Sequence, residues 1–264
     1  MINRRHFSTA LAAGAAASLV SPLVRSQTAA PPIRNVVLVH GAYADGSSWS
    51  DVIGRLQAAG LRATAVQNPL TSLADDVAAT QRILALQDGP TVLVGHSFAG
   101  TIISEAGVHP KVAALVYVAA RAPDAGEDYT ALAMRFPRPP ASDGLVTSGG
   151  FAQLNEESFL KYFAGDVDPV KARVLYAVQG RVSTSLFSGR TTVAAWRSKP
   201  SWYQISTNDK TISPELQRFM ADRMKARTIE LASSHVSLIS HPQEIAALIL
   251  EAADPRASGA LSKG

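Results

Sequence analysis

The chain has 264 residues, 47% of them hydrophobic and 17% charged, which suits one domain with a sizeable core and room for a small insert. Its 25 basic and 21 acidic residues give a formal charge of +4. It contains no cysteine, so disulfides, thiol catalysis and cysteine-ligated metals are excluded.

Much of the positive charge belongs to the first segment. Arg4 and Arg5 precede an apolar, alanine-rich run from Thr9 to Val20. That run is short for a membrane span and is followed by polar residues and prolines. Residues 1–26 are therefore expected to be an export signal of the twin-arginine type, cut after Ser26. The expected partner of the precursor is the twin-arginine export machinery, and the expected destination is the periplasm or the exterior. Residues 1–26 hold three arginines and no acid, so their loss leaves 22 basic against 21 acidic residues, a formal +1. That balance gives no reason to expect nucleic acid or an acidic membrane as a partner.

Val36-Val37-Leu38-Val39 is a continuous apolar run rich in β-branched residues, as a strand buried on both faces requires. Asp51 to Ala59 is expected to be helical, and Leu61 to Val66 a weaker strand. Ser72-Leu73-Ala74-Asp75 resembles a capping box opening a helix to about Gln87, broken by Gly89-Pro90. Thr91 to Val94 is a second fully apolar strand, Phe98 to Val108 a helix and Ala113 to Ala119 a third buried strand. Residues 121–198 then carry many Gly, Pro and Ser, with no clear buried strand. Asn155 to Phe163 and Pro169 to Val178 are expected as short helices there. Order returns with a strand at Trp202 to Ser206. A helix from Ser213-Pro214 to about Lys225, a strand at Thr228 to Leu231 and a helix at Pro242 to Ala252 follow, with a frayed tail from Asp254. Alternating strands and helices predict an α/β fold, with a mostly parallel central sheet covered on both faces. Residues 27–264 form its domain, with a cap inserted at about 121–198.

Gly95-His96-Ser97-Phe98-Ala99-Gly100 follows a buried strand and opens a helix. A sharp strand-to-helix turn holds a serine in a strained conformation and pushes its hydroxyl outward. Ala99 replaces the usual second glycine and is still small. A serine hydroxyl needs a base within hydrogen-bond reach, and the base needs an orienting acid. Of the five histidines after residue 26, His235 follows the strand at Thr228 to Leu231, where α/β sheets place their sites. His40 ends a strand and supports a loop, His96 lies inside the elbow, and His109 and His241 each precede a proline. Asp209 follows the strand at Trp202 to Ser206 and is favoured as the acid over Asp124. The backbone N–H groups of Phe98, at a helix start, and of Ala42, after the first strand, are expected to receive the oxyanion.

These residues together resemble the α/β-hydrolase superfamily, and within it the plant methylesterase and hydroxynitrile lyase branch. The resemblance rests on His40-Gly41-Ala42 with Trp49 downstream, on Gly95-His96-Ser97, and on the stretch from Asn208 through Leu216-Gln217-Arg218 to His235 and His241-Pro242. It spans about residues 36–250, with the cap matching least. It implies the α/β-hydrolase fold, a triad of Ser97, His235 and Asp209, and an oxyanion hole at Ala42 and Phe98. Lyases of this branch usually carry lysine directly after the histidine and tend to carry threonine in place of Gly41. Val236 and Gly41 therefore favour ester hydrolysis. The expected activity is that of a serine hydrolase cleaving a small, fairly apolar carboxylic ester through an acyl-enzyme, with no cofactor and no metal. A lyase or perhydrolase on the same scaffold, and a slow-turnover ligand-binding protein, are the alternatives.

Overall fold

The computed structural model describes residues 33–254. The expected export signal and its cleavage site, and the tail beyond Asp254, lie outside the described residues.

Nine strands occur among those residues. In chain order they are β1 (Asn35–Val39), β2 (Arg62–Val66), β3 (Thr91–His96), β4 (Val112–Val118), β5 (Leu145–Ser148), β6 (Phe151–Leu154), β7 (Val182–Ser183), β8 (Ser201–Ser206) and β9 (Arg227–Leu231). Six of them form one parallel sheet in the order β2-β1-β3-β4-β8-β9. Every residue of β1, β3 and β8 is buried. That is why the first two are continuous apolar runs rather than alternating ones. The edge strands β2 and β9 keep exposed charged residues, Arg62 among them, which blunts an open edge against further pairing.

Helices cover the sheet. Ser50–Ala58 packs against Pro242–Ala252, and Leu73–Ala85 against Ala99–Ala106. Their starts follow the capping logic of the sequence. The Ser72 hydroxyl accepts the Asp75 N–H at 3.1 Å, and Ser213 precedes a helix with Pro214 at its first position. The strand order turns at β1, because the chain steps outward to β2 and then returns to β3 on the other side. In open α/β sheets the crevice beyond the carboxyl ends at such a switch point receives ligands.

The segment between β4 and β8 departs from the sequence expectation. It contains a three-stranded antiparallel sheet, β5-β6-β7, where no clear buried strand was expected. The physical reason is burial: β5 is exposed along its whole length, and β6 buries only Ala152 and Leu154. No continuous apolar run exists to mark either. The signal that does exist is the Gly149-Gly150 pair, both at positive φ (59° and 78°), as a two-residue hairpin turn requires. The expected helix at Asn155 to Phe163 is a short α turn, Glu156–Ser158, continuing into a π-helical stretch, Phe159–Phe163.

Candidate active site

Backbone strain marks the carboxyl edge of the sheet. Tyr43, Leu70, Ser97 and Ala119 are non-glycine residues at positive φ, and they follow β1, β2, β3 and β4 respectively. Such conformations cost on the order of 1–3 kcal/mol each and persist where the surroundings over-determine them. At Ser97 (φ 56°) the surroundings are identifiable. Its N–H donates to the Val118 carbonyl, and its own carbonyl accepts the N–H groups of Gly100 and Arg121. Two glycines make the turn possible. A Cβ on Gly41 would lie 2.7 Å from the Ser97 Cβ, and one on Gly100 would lie 1.8 Å from the Arg121 carbonyl oxygen. Gly100 thus meets the steric demand of the elbow from the position after Ala99.

The structure brings Ser97, His235 and Asp209 together. The Ser97 hydroxyl lies 2.7 Å from His235 Nε2, and His235 Nδ1 lies 2.7 Å from Asp209 Oδ2. All three residues are buried. The loops that carry the histidine and the aspartate are tied to each other, since Thr207 N–H donates to the Leu231 carbonyl and Asn208 N–H to that of Ser233. The Asp209 carboxylate is fully engaged. Oδ1 accepts the N–H groups of Thr211 (2.7 Å) and Ile212 (3.0 Å), and Oδ2 accepts Gln217 Nε2 (2.7 Å) beside the imidazole. Four donors hold the carboxylate in one orientation. Asp124, the rival acid, is instead paired with Arg197.

Several residues support this line through contacts that have no local signature in the sequence. Gln217 is buried, and its side-chain carbonyl also accepts the Ser206 N–H, so one amide fixes both the strand end and the carboxylate. His96 Nε2 donates to the His235 backbone carbonyl at 3.0 Å, with the two rings 4.8 Å apart. Burial pushes the His96 imidazole well below its ordinary pKa, so it is neutral. From the cap, the Phe163 ring packs on His235 at 5.1 Å, and Asp166 accepts the N–H and hydroxyl of Ser234. No spacing in the sequence announces these contacts; they join residues up to 139 positions apart.

His40 supports the loop after β1, as its place in the sequence suggested. The Asn68 N–H donates to His40 Nε2 at 3.0 Å, which leaves Nδ1 protonated to donate to the Gly41 carbonyl at 2.9 Å. The Asn68 side chain returns a hydrogen bond to the His40 carbonyl. That loop presents Ala42 and Tyr43 to a cavity of about 360 Å³, which Ser97 and Phe98 also line. Phe98 immediately precedes the helix Ala99–Ala106. The rest of the lining is mostly apolar and comes largely from the cap. Of the cap aromatics, Tyr129 and Phe187 face this cavity, whereas Phe159, Phe163 and Tyr176 pack on one another. Among the described residues no group of three or more His, Asp or Glu side chains is arranged to hold a metal ion.

A profile of the alpha/beta hydrolase family matches residues 36–248. The chain belongs to this family. Among curated relatives, Methylesterase 7 of Arabidopsis thaliana is 28% identical over 253 residues, covering 84% of this chain and 96% of that protein. Salicylic acid-binding protein 2 of Nicotiana tabacum is 27% identical over 256 residues, covering 83% and 97%. The crystal structure of polyneuridine aldehyde esterase superposes with a TM-score of 0.74 at 20% identity, covering 84% of this chain and all of that one. The alpha/beta hydrolase relatives are thus methylesterase-like, which supports esterase activity.

Proposed function

We propose that this hydrolase is a serine esterase that cleaves a small, fairly apolar carboxylic ester through an acyl-enzyme on Ser97. The observation that carries the reading is the buried line of two 2.7 Å contacts from Ser97 through His235 to Asp209, ending at the floor of the cavity. His235 Nε2 accepts the Ser97 proton as the hydroxyl attacks the ester carbonyl, and Asp209 holds the imidazole in the tautomer that can do so. The alcohol leaves with that proton. Water, activated by the same imidazole, then attacks the acyl-enzyme and frees the acid. The N–H groups of Ala42 and Phe98 are proposed to receive the oxyanion. The support is that both residues line the cavity beside Ser97, and that Phe98 sits at a helix N-terminus where amides and dipole favour an anion.

The test combines labelling and turnover. A tagged fluorophosphonate is expected to modify wild-type protein at Ser97 and to leave Ser97→Ala unmodified. Sustained release from p-nitrophenyl acetate is expected, falling by about 10⁴-fold or more in Ser97→Ala. Release of one equivalent followed by silence would mark a slow-turnover binding protein. Absence of labelling at Ser97 would remove the nucleophile from the scheme. For the precursor, we propose export through the twin-arginine route on the strength of Arg4 and Arg5 alone. Retention of an Arg4→Lys, Arg5→Lys variant in the cytoplasm is the expected result of cell fractionation.

A further inference from the structure

One residue of the cavity has no role in the chemistry above. Arg121 follows the positive-φ turn at Ala119 that ends β4, and its N–H donates to the Ser97 carbonyl at 2.9 Å. Its backbone is therefore anchored on the elbow, and its side chain lines the same cavity as Ser97. Among the lining residues it is the one with a formal charge at neutral pH. The guanidinium carbon lies 4.3 Å from the ring centroid of Tyr129, 4.8 Å from that of Phe187 and 5.3 Å from that of Phe98. Among the described residues it has no carboxylate partner and donates no side-chain hydrogen bond. Seven other arginines among the described residues, Arg62 and Arg223 among them, do hold carboxylates.

This is an uncommon situation. A guanidinium carries five N–H donors in its plane, and removing a cation from bulk water without a counter-ion is costly. The rings offset part of that cost through their π faces. They offer nothing to in-plane N–H groups. What satisfies those groups best is a planar anion, which a guanidinium grips with two parallel hydrogen bonds. The neighbouring hydroxyls do not supply that anion: burial pushes both Tyr43 and Tyr129 up to about 12, so they stay protonated.

We propose that Arg121 determines specificity, and that the preferred substrate is an ester that also carries a free carboxylate. The inference rests on the esterase reading and adds an anionic group to the apolar substrate proposed there. The apolar wall holds the hydrocarbon between the ester and the carboxylate, and Arg121 supplies the counter-charge.

The experiment measures a ratio, kcat/KM for a carboxylate-bearing ester over that for a neutral one. Monomethyl glutarate against dimethyl glutarate places the charge on the acyl side; 4-acetoxybutyrate against butyl acetate places it on the alcohol side. The wild-type ratio is expected to be about 10 or more in at least one pair, which identifies the side. Arg121→Met, which keeps a long apolar stem, is expected to lower that ratio by about 10–100-fold, the range for a hydrogen bond to a charged group. Arg121→Lys is expected to retain part of it. Loss of structure would lower both rates together and leave the ratio in place. A wild-type ratio of one or less in both pairs, or a ratio unmoved by Arg121→Met while the neutral-ester rate is retained, would overturn the inference and leave Arg121 as a packing residue. Calorimetric binding of monomethyl glutarate and 4-acetoxybutyrate to Ser97→Ala, compared with Ser97→Ala/Arg121→Met, tests the same claim without turnover. Ester hydrolysis with no charge preference sinks the inference and spares the esterase reading. Charge-dependent binding with no hydrolysis of any ester does the reverse.

Discussion

The carboxyl edge of the parallel sheet and the cap between β4 and β8 meet over Ser97, but they are held by different means. At the sheet edge each reactive group is fixed by several hydrogen bonds. Asp209 has four donors, His235 is gripped through ring and backbone, and Ser97 is locked in a strained turn by Val118, Gly100 and Arg121. The cap has short helices, a small antiparallel sheet with one fully exposed strand, and ring-on-ring packing among Phe159, Phe163 and Tyr176. The contrast separates two tasks. Chemistry needs atoms held to fractions of an ångström, and a network on rigid elements provides that. Recognition needs a wall of suitable shape and polarity, which loosely patterned packing can provide.

If that division is right, substitutions at the sheet edge lower kcat and those in the cap alter KM and selectivity. The largest effect among the supporting groups is expected at Asp209→Asn, a fall in kcat of about 10⁴-fold, because the amide cannot hold the imidazole in its working tautomer. Steady-state kinetics checks it, and a cap-sized effect there would erase the distinction. Next come the positioning residues. His96→Phe removes the donor to the His235 carbonyl, and Gln217→Leu removes the amide that spans Ser206 and Asp209. Each is expected to lower kcat by about 10–100-fold with little change in KM, as small misplacements do.

Those two positions also show how far sequence reasoning reaches. β1, β3 and β4 are legible because burial on both faces forces continuous apolar runs. Ser97 is legible because strand, small residues and helix sit within a few positions of one another. His235 and Asp209 stand out by their places after late strands, and the fold brings them to the serine. His96 acts through one hydrogen bond across 139 positions, and Gln217 through a side-chain amide that bridges Ser206 and Asp209, so no local spacing reveals them. Arg121 looks like any charged residue at the start of an irregular segment until three aromatic rings close around it. The cap sheet is hidden because its exposed strand carries no apolar pattern, although Gly149-Gly150 does mark its turn.

On the cap side, Phe187→Ala removes a ring that lines the cavity and meets the Phe98 ring edge-to-face at 5.5 Å. It is expected to raise KM for apolar esters several-fold, about 1 kcal/mol of lost apolar contact, while kcat changes less. A fall in kcat as large as that of His96→Phe would merge the two regions into one unit.

The smallest effect expected is on stability, away from the reactive line. Asp76 is buried, accepts the Leu70 N–H at 2.8 Å, and is pushed up to about 6 by burial. Between the ordinary carboxylate value and about 6 the folded state binds more protons than the unfolded one, so this group's contribution to stability falls as pH rises through that window. Asp76→Asn keeps the acceptor without the charge. Its melting temperature is expected to gain on that of the wild type between pH 4 and pH 7, and an unchanged difference would contradict the shift.

The most direct test of the account is the mass of the Ser97 peptide in protein quenched by acid during turnover of p-nitrophenyl acetate. The account predicts one acetyl group on Ser97 in the wild type and none anywhere in Ser97→Ala. Sustained hydrolysis with an unmodified Ser97, or an acetyl group accumulating and turning over on another side chain, would contradict it.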